Sequence, residues 1–339
     1  EALHELLAKD FVIDSPLSAE VEAAERQIRL SEQQFVTLDM LSSQRRALIL
    51  GVAGSGKTLL AAEKARRLSR QGFEVLLTCF NRPLAEHLAS TIGRREQGIT
   101  VSTFHGLAEQ FGMEAGLIGS NPVRDSAYFD SLPDMLDRAL HALTAHRYDA
   151  IVVDEGQDLD SVWWLPLLDL LRDREDGIVY VFGDANQDLY HAREPDELGV
   201  VMPESPPIYH LTEIRRTTRT FHDFAMRFGA RDPDLPPATA VGPEGRPVEI
   251  RTYADGDPDA CRRALGKLLR EIIDAGGVPA LDVVVLTPRS RNSSWLMDAS
   301  GAPVDAWPYR LMPEYGPQGA VLPMPSRGNE VRVATVHRY

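Results

Sequence analysis

Short apolar runs alternate with stretches of helical periodicity along most of this chain. Strand-like runs fall at Ala47–Leu50, Glu74–Cys79, Thr100–Ser102, Ala150–Val153 and Ile178–Phe182. Between them, apolar residues recurring every three to four positions predict helices over Thr58–Ser69, Pro83–Ile92, Asp134–Ala145 and Ser161–Arg172. Strands alternating with helices in this way predict an α/β fold whose parallel sheet is covered on both faces. The proline-rich stretch Val201–Pro207 reads as a linker. A second alternating unit follows it, with strand Ile208–Leu211, helix Thr217–Phe228, strand Val248–Tyr253, helix Asp257–Ala275, and strands Val283–Thr287 and Val331–Thr335. Residues 300–330, rich in Pro and Gly, read as an irregular surface excursion. Ahead of the first strand, residues 1–29 form a helical lead-in, and Ser31-Glu32-Gln33-Gln34 is a capping-box pattern that opens a helix through Leu41.

Composition narrows the setting. A chain of 339 residues can bury more than one core, and 43% hydrophobic with 25% charged residues is ordinary for a globular protein. No apolar run approaches the roughly 20 residues that span a bilayer, and the first ten residues mix charge with Leu, unlike a signal peptide. Cys79 and Cys261 make no disulfide framework or metal spacing, so a reduced, cytoplasmic setting is expected. The net charge of −14 disfavours nonspecific adhesion to nucleic acid. Only Lys9, Lys57, Lys64 and Lys267 are lysines; arginine supplies the remaining basic residues and suits bidentate phosphate contacts, although a genome-wide bias accounts for it equally. The chain opens at Glu1 and stops directly after a strand-like run, as a fragment of a longer protein would.

Three segments carry chemistry. Gly51-Val52-Ala53-Gly54-Ser55-Gly56-Lys57-Thr58 fits the phosphate-binding P-loop in full, between a strand and a helix. Its backbone N–H groups cradle phosphate, Lys57 reaches the β- and γ-phosphates, and Thr58 ligates Mg²⁺. Asp154-Glu155-Gly156-Gln157-Asp158 follows a buried strand, with Asp154 holding the Mg²⁺ shell and Glu155 acting as general base on the attacking water. Gly183-Asp184-Ala185-Asn186-Gln187-Asp188-Leu189-Tyr190 ends another strand, and Gln187 is placed to hydrogen-bond the γ-phosphate. Trp163 and Trp164, within an apolar helical pattern, are expected to pack in the core rather than stack on nucleic acid.

In order along the chain, these blocks resemble the UvrD/Rep-type superfamily 1 helicases. The resemblance adds Leu30–Gln34, similar to the family's adenine-reading glutamine motif, Leu77–Arg82, Thr103-Phe104-His105-Gly106, Leu211–Thr217 and Val331–Arg338. It implies two RecA-like P-loop domains with parallel sheets flanked by helices, over residues 30–204 and 205–339, the second incomplete, with a short insertion at about 106–147. ATP and Mg²⁺ would sit in the cleft and single-stranded DNA would run across the top. The resemblance implies Gln34 as adenine reader, a role that coexists with its capping role, and Phe80, Asn81, Thr103, Phe104, His105 and Tyr190 as strand contacts. Arg216 would be the arginine that reaches the γ-phosphate.

The departures are informative. Where the family has Asn-Tyr-Arg this chain has Ile214-Arg215-Arg216, so the plane of Arg215 replaces the ring that stacks on adenine. Ala192 stands where a base-stacking tryptophan is usual. The whole implies an ATP-dependent single-stranded DNA translocase or helicase core, with DNA favoured over RNA, moving 3′→5′. The compact layout also resembles modules joined to an upstream nuclease-related domain. The family's second arginine finger belongs to a later motif, so weak hydrolysis at most is expected of this fragment alone. The alternative is a nucleic-acid-gated ATP-binding regulatory module without processive motion. A P-loop kinase or GTPase is disfavoured, since the chain has no Asn-Lys-x-Asp guanine signature.

Overall fold

The apolar runs of the first half pair into one sheet. In the computed structural model, β1 (Arg46–Gly51), β2 (Val75–Cys79), β3 (Ile99–Thr103), β4 (Ala150–Asp154), β5 (Ile178–Gly183) and β6 (Ile208–Leu211) lie in the order β3-β2-β4-β5-β1-β6. Every neighbouring pair is parallel. The structure describes residues 35–335 except 93–96, 120–121, 124, 144–147, 185–207, 228–235, 253–255, 288–293, 298–304, 307 and 314–328. The helical lead-in 1–29, the capping box with Gln34, and the linker Val201–Pro207 lie outside the described residues. Among those described, no helix is long and apolar enough to cross a membrane.

Strands β2, β4 and β5 are buried at every position, as a parallel sheet covered on both faces requires. One face packs under α1 (Lys57–Arg70) and α2 (Arg82–Ile92), where Leu41, Leu60, Leu77 and Leu88 share a core. The other lies under α3 (Phe104–Glu114), α4 (Ser126–Ala142) and the single turn α5 (Trp164–Leu168), around Phe104, Phe111 and Leu136. Helix α4 starts earlier than its sequence suggests and runs through Pro133. Asp125 caps it by accepting the Tyr128 N–H, and the Tyr128 hydroxyl is tied to Glu109 on α3, which holds the turn before the proline. The helix expected over Ser161–Arg172 is broken instead. A 3₁₀ turn at Ser161–Trp163 leads into α5, and the chain then extends so that Leu170 O accepts the Tyr148 N–H.

A buried cation sits inside this sandwich. Lys64 on α1 is 6% exposed, with Nζ 3.8 Å from the centre of the Tyr180 ring. The Tyr180 hydroxyl in turn lies 2.6 Å and 2.7 Å from the carbonyls of Leu41 and Gln44. Burial first, and then the nearby Arg67, pull the Lys64 ammonium down to about 8. Between that value and its ordinary one the unfolded chain binds a proton that the folded chain refuses, so stability falls as pH drops through this window. Melting temperature should therefore decline from about pH 10 to about pH 8 more steeply in the parent than in Lys64→Met. Parallel slopes in the two proteins would show that Lys64 is not the group responsible.

Contacts divide the chain into two units, 1–247 and 248–339. Ile208–Leu211, read from sequence as the first strand of the second unit, pairs with β1 and extends the first sheet. The short strands β7 (Glu213–Ile214) and β8 (Thr239–Ala240) and helix α6 (Arg219–Ala225) follow in the same unit. The strand expected at Val248–Tyr253 does not form: its described residues, 248–252, carry no ladder partner. In the second unit, α7 (Pro258–Arg270) opens on Asp257, whose side chain accepts the Ala260 N–H. Strands β9 (Val284–Thr287), β10 (Arg310–Pro313) and β11 (Glu330–Thr335) form a parallel sheet in the order β10-β11-β9. Leu269, Tyr309, Leu311, Val331 and Val333 share its core, and β10 supplies regular structure inside the stretch expected to be irregular.

Candidate active site

The strands of the first sheet end flush. Leu50 is opposite Gly183, and Cys79 is opposite both Asp154 and Thr103. The loops beyond these carboxyl ends therefore lie side by side, where open parallel sheets bind ligands.

At the β1 end, Gly54 (φ 83°) and Gly56 (φ 95°) adopt left-handed conformations that fold the loop back on itself before α1. A Cβ on Gly51 would stand 2.4 Å from Ser55 Oγ and 2.9 Å from Leu211 Cβ, so this position has no room for a side chain. Lys57 is buried, donates to Gly51 O at 2.9 Å, and lies 3.6 Å from the buried Asp184 carboxylate at the β5 end. Its ammonium is thus held inside the loop. Sheet order explains the pairing, because β5 lies between β1 and β4 and its end faces the loop directly.

At the β4 end, Asp154 is fully buried and its Oδ1 accepts the N–H of Glu155. Burial foremost, and the Glu155 carboxylate next, push Asp154 up to about 7, against the pull of the Thr58 hydroxyl and Lys57. Glu155 is the single non-glycine residue with positive φ (52°) among the described residues, a conformation that strains a residue with a side chain. Two features hold it there. A Cβ on Gly156 would stand 2.6 Å from Val181 Cγ1, so the chain passes tightly against β5. Gln157 also reaches both ways: its Nε2 donates to Glu155 Oε2 at 2.8 Å, and its Oε1 accepts the Asp184 N–H at 3.0 Å.

These residues fit a magnesium ion. Asp154 Oδ2 is buried with no hydrogen-bond partner, and the Thr58 hydroxyl lies beside the same carboxylate. A hard cation that takes a few carboxylate or hydroxyl ligands together with phosphate oxygens matches that pair. When bound, it would neutralise charge on the transferring phosphate and restore the ionised form of Asp154.

Backbone from β7 onward closes on the same loop. The N–H groups of Arg215 and Arg216 lie 3.0 Å and 3.3 Å from Gly54 O, and Arg216 Cβ would be 3.5 Å from a Cβ at Gly54. Arg215 is paired with Glu213. Both arginines, expected from the second domain, thus belong to the contact unit that carries the P-loop.

The β2 and β3 ends carry the expected strand contacts. Phe80 is 43% exposed. Asn81 Oδ1 accepts the Leu84 N–H and starts α2, while Thr103 Oγ1 accepts the Gly106 N–H and starts α3. Phe104 requires a correction. It is 1% exposed and lies parallel to Trp163 at 4.7 Å, so it supports the surface from behind rather than meeting a strand. Its burial follows from its place as the first residue of α3, turned down onto the sheet. His105 sits edge-on to Trp163 at 4.8 Å, and burial holds its imidazole below the ordinary value against the pull of Glu109. Gln34, Gln187 and Tyr190 lie outside the described residues.

One residue that the structure draws into the site had no assigned role in the sequence reading. Asp184 belongs to a quoted motif, and its signal is an acid closing an apolar strand; the structure pairs it with Lys57. Trp164 is core as expected, at 4% exposure, whereas Trp163 is only half-buried and joins three other aromatic rings.

A family model described as an AAA domain matches residues 34–193, which span the P-loop, the acidic box and the β5 end. No curated protein matches the chain. Among solved structures, the chain is similar to the Escherichia coli DEAH/RHA helicase HrpB, at 16% identity and a TM-score of 0.41. That similarity covers 91% of this chain and 34% of the helicase.

Proposed function

We propose that this chain is the core of an ATP-dependent motor that moves along single-stranded DNA in the 3′→5′ direction, built on two RecA-like domains of which the second is incomplete. The observation that carries the proposal is the constrained Glu155. A carboxylate held in a strained conformation one residue after Asp154 is a group placed for a task rather than for packing. The Gln157 amide then joins that carboxylate to the β5 end, so whatever moves Asp184 and the segment after it also moves the base.

In this reading the P-loop N–H groups and Lys57 hold the phosphates of ATP, and Thr58 and Asp154 hold Mg²⁺. Glu155 takes the proton of the attacking water, and Gln187 and Arg216 meet the γ-phosphate. Gln34 and Arg215 bind the adenine. Phe80, Asn81, Thr103, His105 and Tyr190 face the strand. A reducing cytoplasm suits the protein's two unpaired cysteines.

The test is ATP turnover by the full-length protein with and without oligo(dT), alongside displacement of streptavidin from 3′- or 5′-biotinylated strands. A motor of this kind shows stimulated turnover and clears the label from the 5′ end. In Gln157→Leu, turnover should lose most of its dependence on oligo(dT), because Glu155 and the β5 end are no longer joined. ATP binding with neither stimulation nor displacement would replace the motor by a regulatory module.

A further inference from the structure

We propose that a cavity on the flank of the P-loop binds a small, uncharged aromatic molecule with one hydrogen-bonding group, and that its occupancy weakens ATP binding from the side. The site itself stands apart from the strand and the motor; only its effect on ATP rests on the nucleotide reading above. The cavity lies wholly within the first unit and measures about 210 Å³. The buried Leu50 and Ile214 and the half-buried Leu211 line its interior. Val52 and Ala53 of the P-loop contribute another wall, and α6 contributes Phe221, His222 and Ala225. An apolar cavity of about 150 Å³ accepts benzene, so this one has room for a fused pair of rings.

The lining selects the ligand. It holds no carboxylate, ammonium or guanidinium group, and Lys57, Thr58, Asp154 and Glu155 are not part of it, so a triphosphate or Mg²⁺ finds no partner there. His222 is 9% exposed, and neither of its ring nitrogens has a hydrogen-bond partner among the described residues. A buried polar group left unpaired is costly, and an uncharged imidazole offers one donor and one acceptor. The terminal torsion of a histidine is broad, so the ring turns a nitrogen toward the cavity with little strain. The other polar side chains of the lining, His210, Thr212 and Thr217, are exposed or half-buried and lie within reach of water. One polar partner in an apolar interior suits an indole or a phenol. A purine carries several donors and acceptors around its edge and would leave most of them unpaired.

The cavity walls press on the glycines of the loop. A Cβ on Gly51 would stand 2.9 Å from Leu211 Cβ, and one on Gly54 would stand 3.3 Å from Ile214 Cγ2. A ligand that fits the cavity as found therefore holds the loop in this shape, in which Lys57 is engaged by Gly51 O and Asp184. Phosphate has to draw Lys57 out of those contacts. Ligand and ATP thus favour different shapes of one loop, and each weakens the other by the same factor.

The experiment uses the full-length protein with a fluorinated indole, followed by fluorine NMR line broadening, and a fluorinated naphthalene of similar shape that lacks the N–H. The parent should bind the indole, prefer it to the naphthalene, and bind ATP several-fold more weakly when the indole is saturating. His222→Leu should lose about tenfold in indole affinity, the effect of one hydrogen-bond partner, with naphthalene binding unchanged. Ala225→Trp, which fills the cavity, should bind neither probe. Absence of indole binding in the parent, parent-like binding in Ala225→Trp, or an unchanged preference for indole in His222→Leu would overturn the site. ATP affinity that falls without limit as indole is raised would make the cavity part of the nucleotide site, which also overturns the proposal. ATP affinity that does not move would overturn the coupling. Failure of the parent to bind ATP at all would remove the nucleotide reading, with indole binding still decided by the two variants. Should circular dichroism show Ala225→Trp unfolded, the comparison of the two probes in His222→Leu decides alone.

Discussion

Glu155→Gln should leave ATP binding intact and lower strand-stimulated turnover by about 10²–10⁴-fold, the usual contribution of a general base. The substitution is unusually clean at this position. The Gln157 amide donates to Glu155 Oε2, and the carbonyl oxygen of a glutamine accepts the same bond. Geometry is kept while basicity is lost. Lys57→Ala differs in kind, because it removes the ammonium that lies within the loop between Gly51 O and Asp184, and should weaken ATP binding itself. Turnover by the full-length protein, with nucleotide binding measured separately, distinguishes the two. Unchanged turnover in Glu155→Gln would take the role of base away from this residue.

Phe104→Ala should destabilise the first unit by about 3–5 kcal/mol, the range for truncating a fully buried aromatic. Its ring fills the core shared with Phe111 and Leu136 and also backs Trp163. Collapse around the cavity is hindered because the β-sheet below is rigid and Thr103 pins the start of α3 through the Gly106 N–H. Urea unfolding followed by circular dichroism gives the loss. A cost below about 1 kcal/mol would mean that the site relaxes and that Trp163 finds another support.

The first sheet was legible because each apolar run is bounded by a turn or a motif that belongs at a strand end. The P-loop after β1 and the acidic box after β4 mark the carboxyl edge of the sheet by themselves. Longer-range placements were not legible. Ile208–Leu211 follows three prolines and looks like the opening of a new unit, yet its backbone adds to the exposed edge of β1, a choice that side-chain pattern does not encode. Val248–Tyr253 has strand-like composition but no neighbour to pair with over its described residues. The helix read over Asp134–Ala145 begins instead at Ser126 and runs through Pro133, with the tie between Tyr128 and Glu109 holding the turn before the proline.

Within the site, types of residue were readable and juxtapositions were not. Lys57, Thr58, Asp154 and Glu155 follow from motif chemistry. That Asp184 closes on Lys57 depends on β5 lying between β1 and β4, which follows from topology and not from spacing. Trp163 packs against the core as its apolar setting predicts, but its ring partners were unreadable for the same reason. An apolar helical pattern hides a ring whose partners, Phe80 and Phe104, come from the ends of two other strands.

The left-handed backbone at Glu155 sets this chain's durability against its work. Glycine would relieve a cost on the order of 1 kcal/mol at that position, and asparagine part of it. A search for heat-resistant variants, blind to activity, would be drawn to residue 155 early and would remove the proposed base with the strain. On the proposed reading, the sturdiest descendants of this sequence would then be the ones that bind ATP and never spend it.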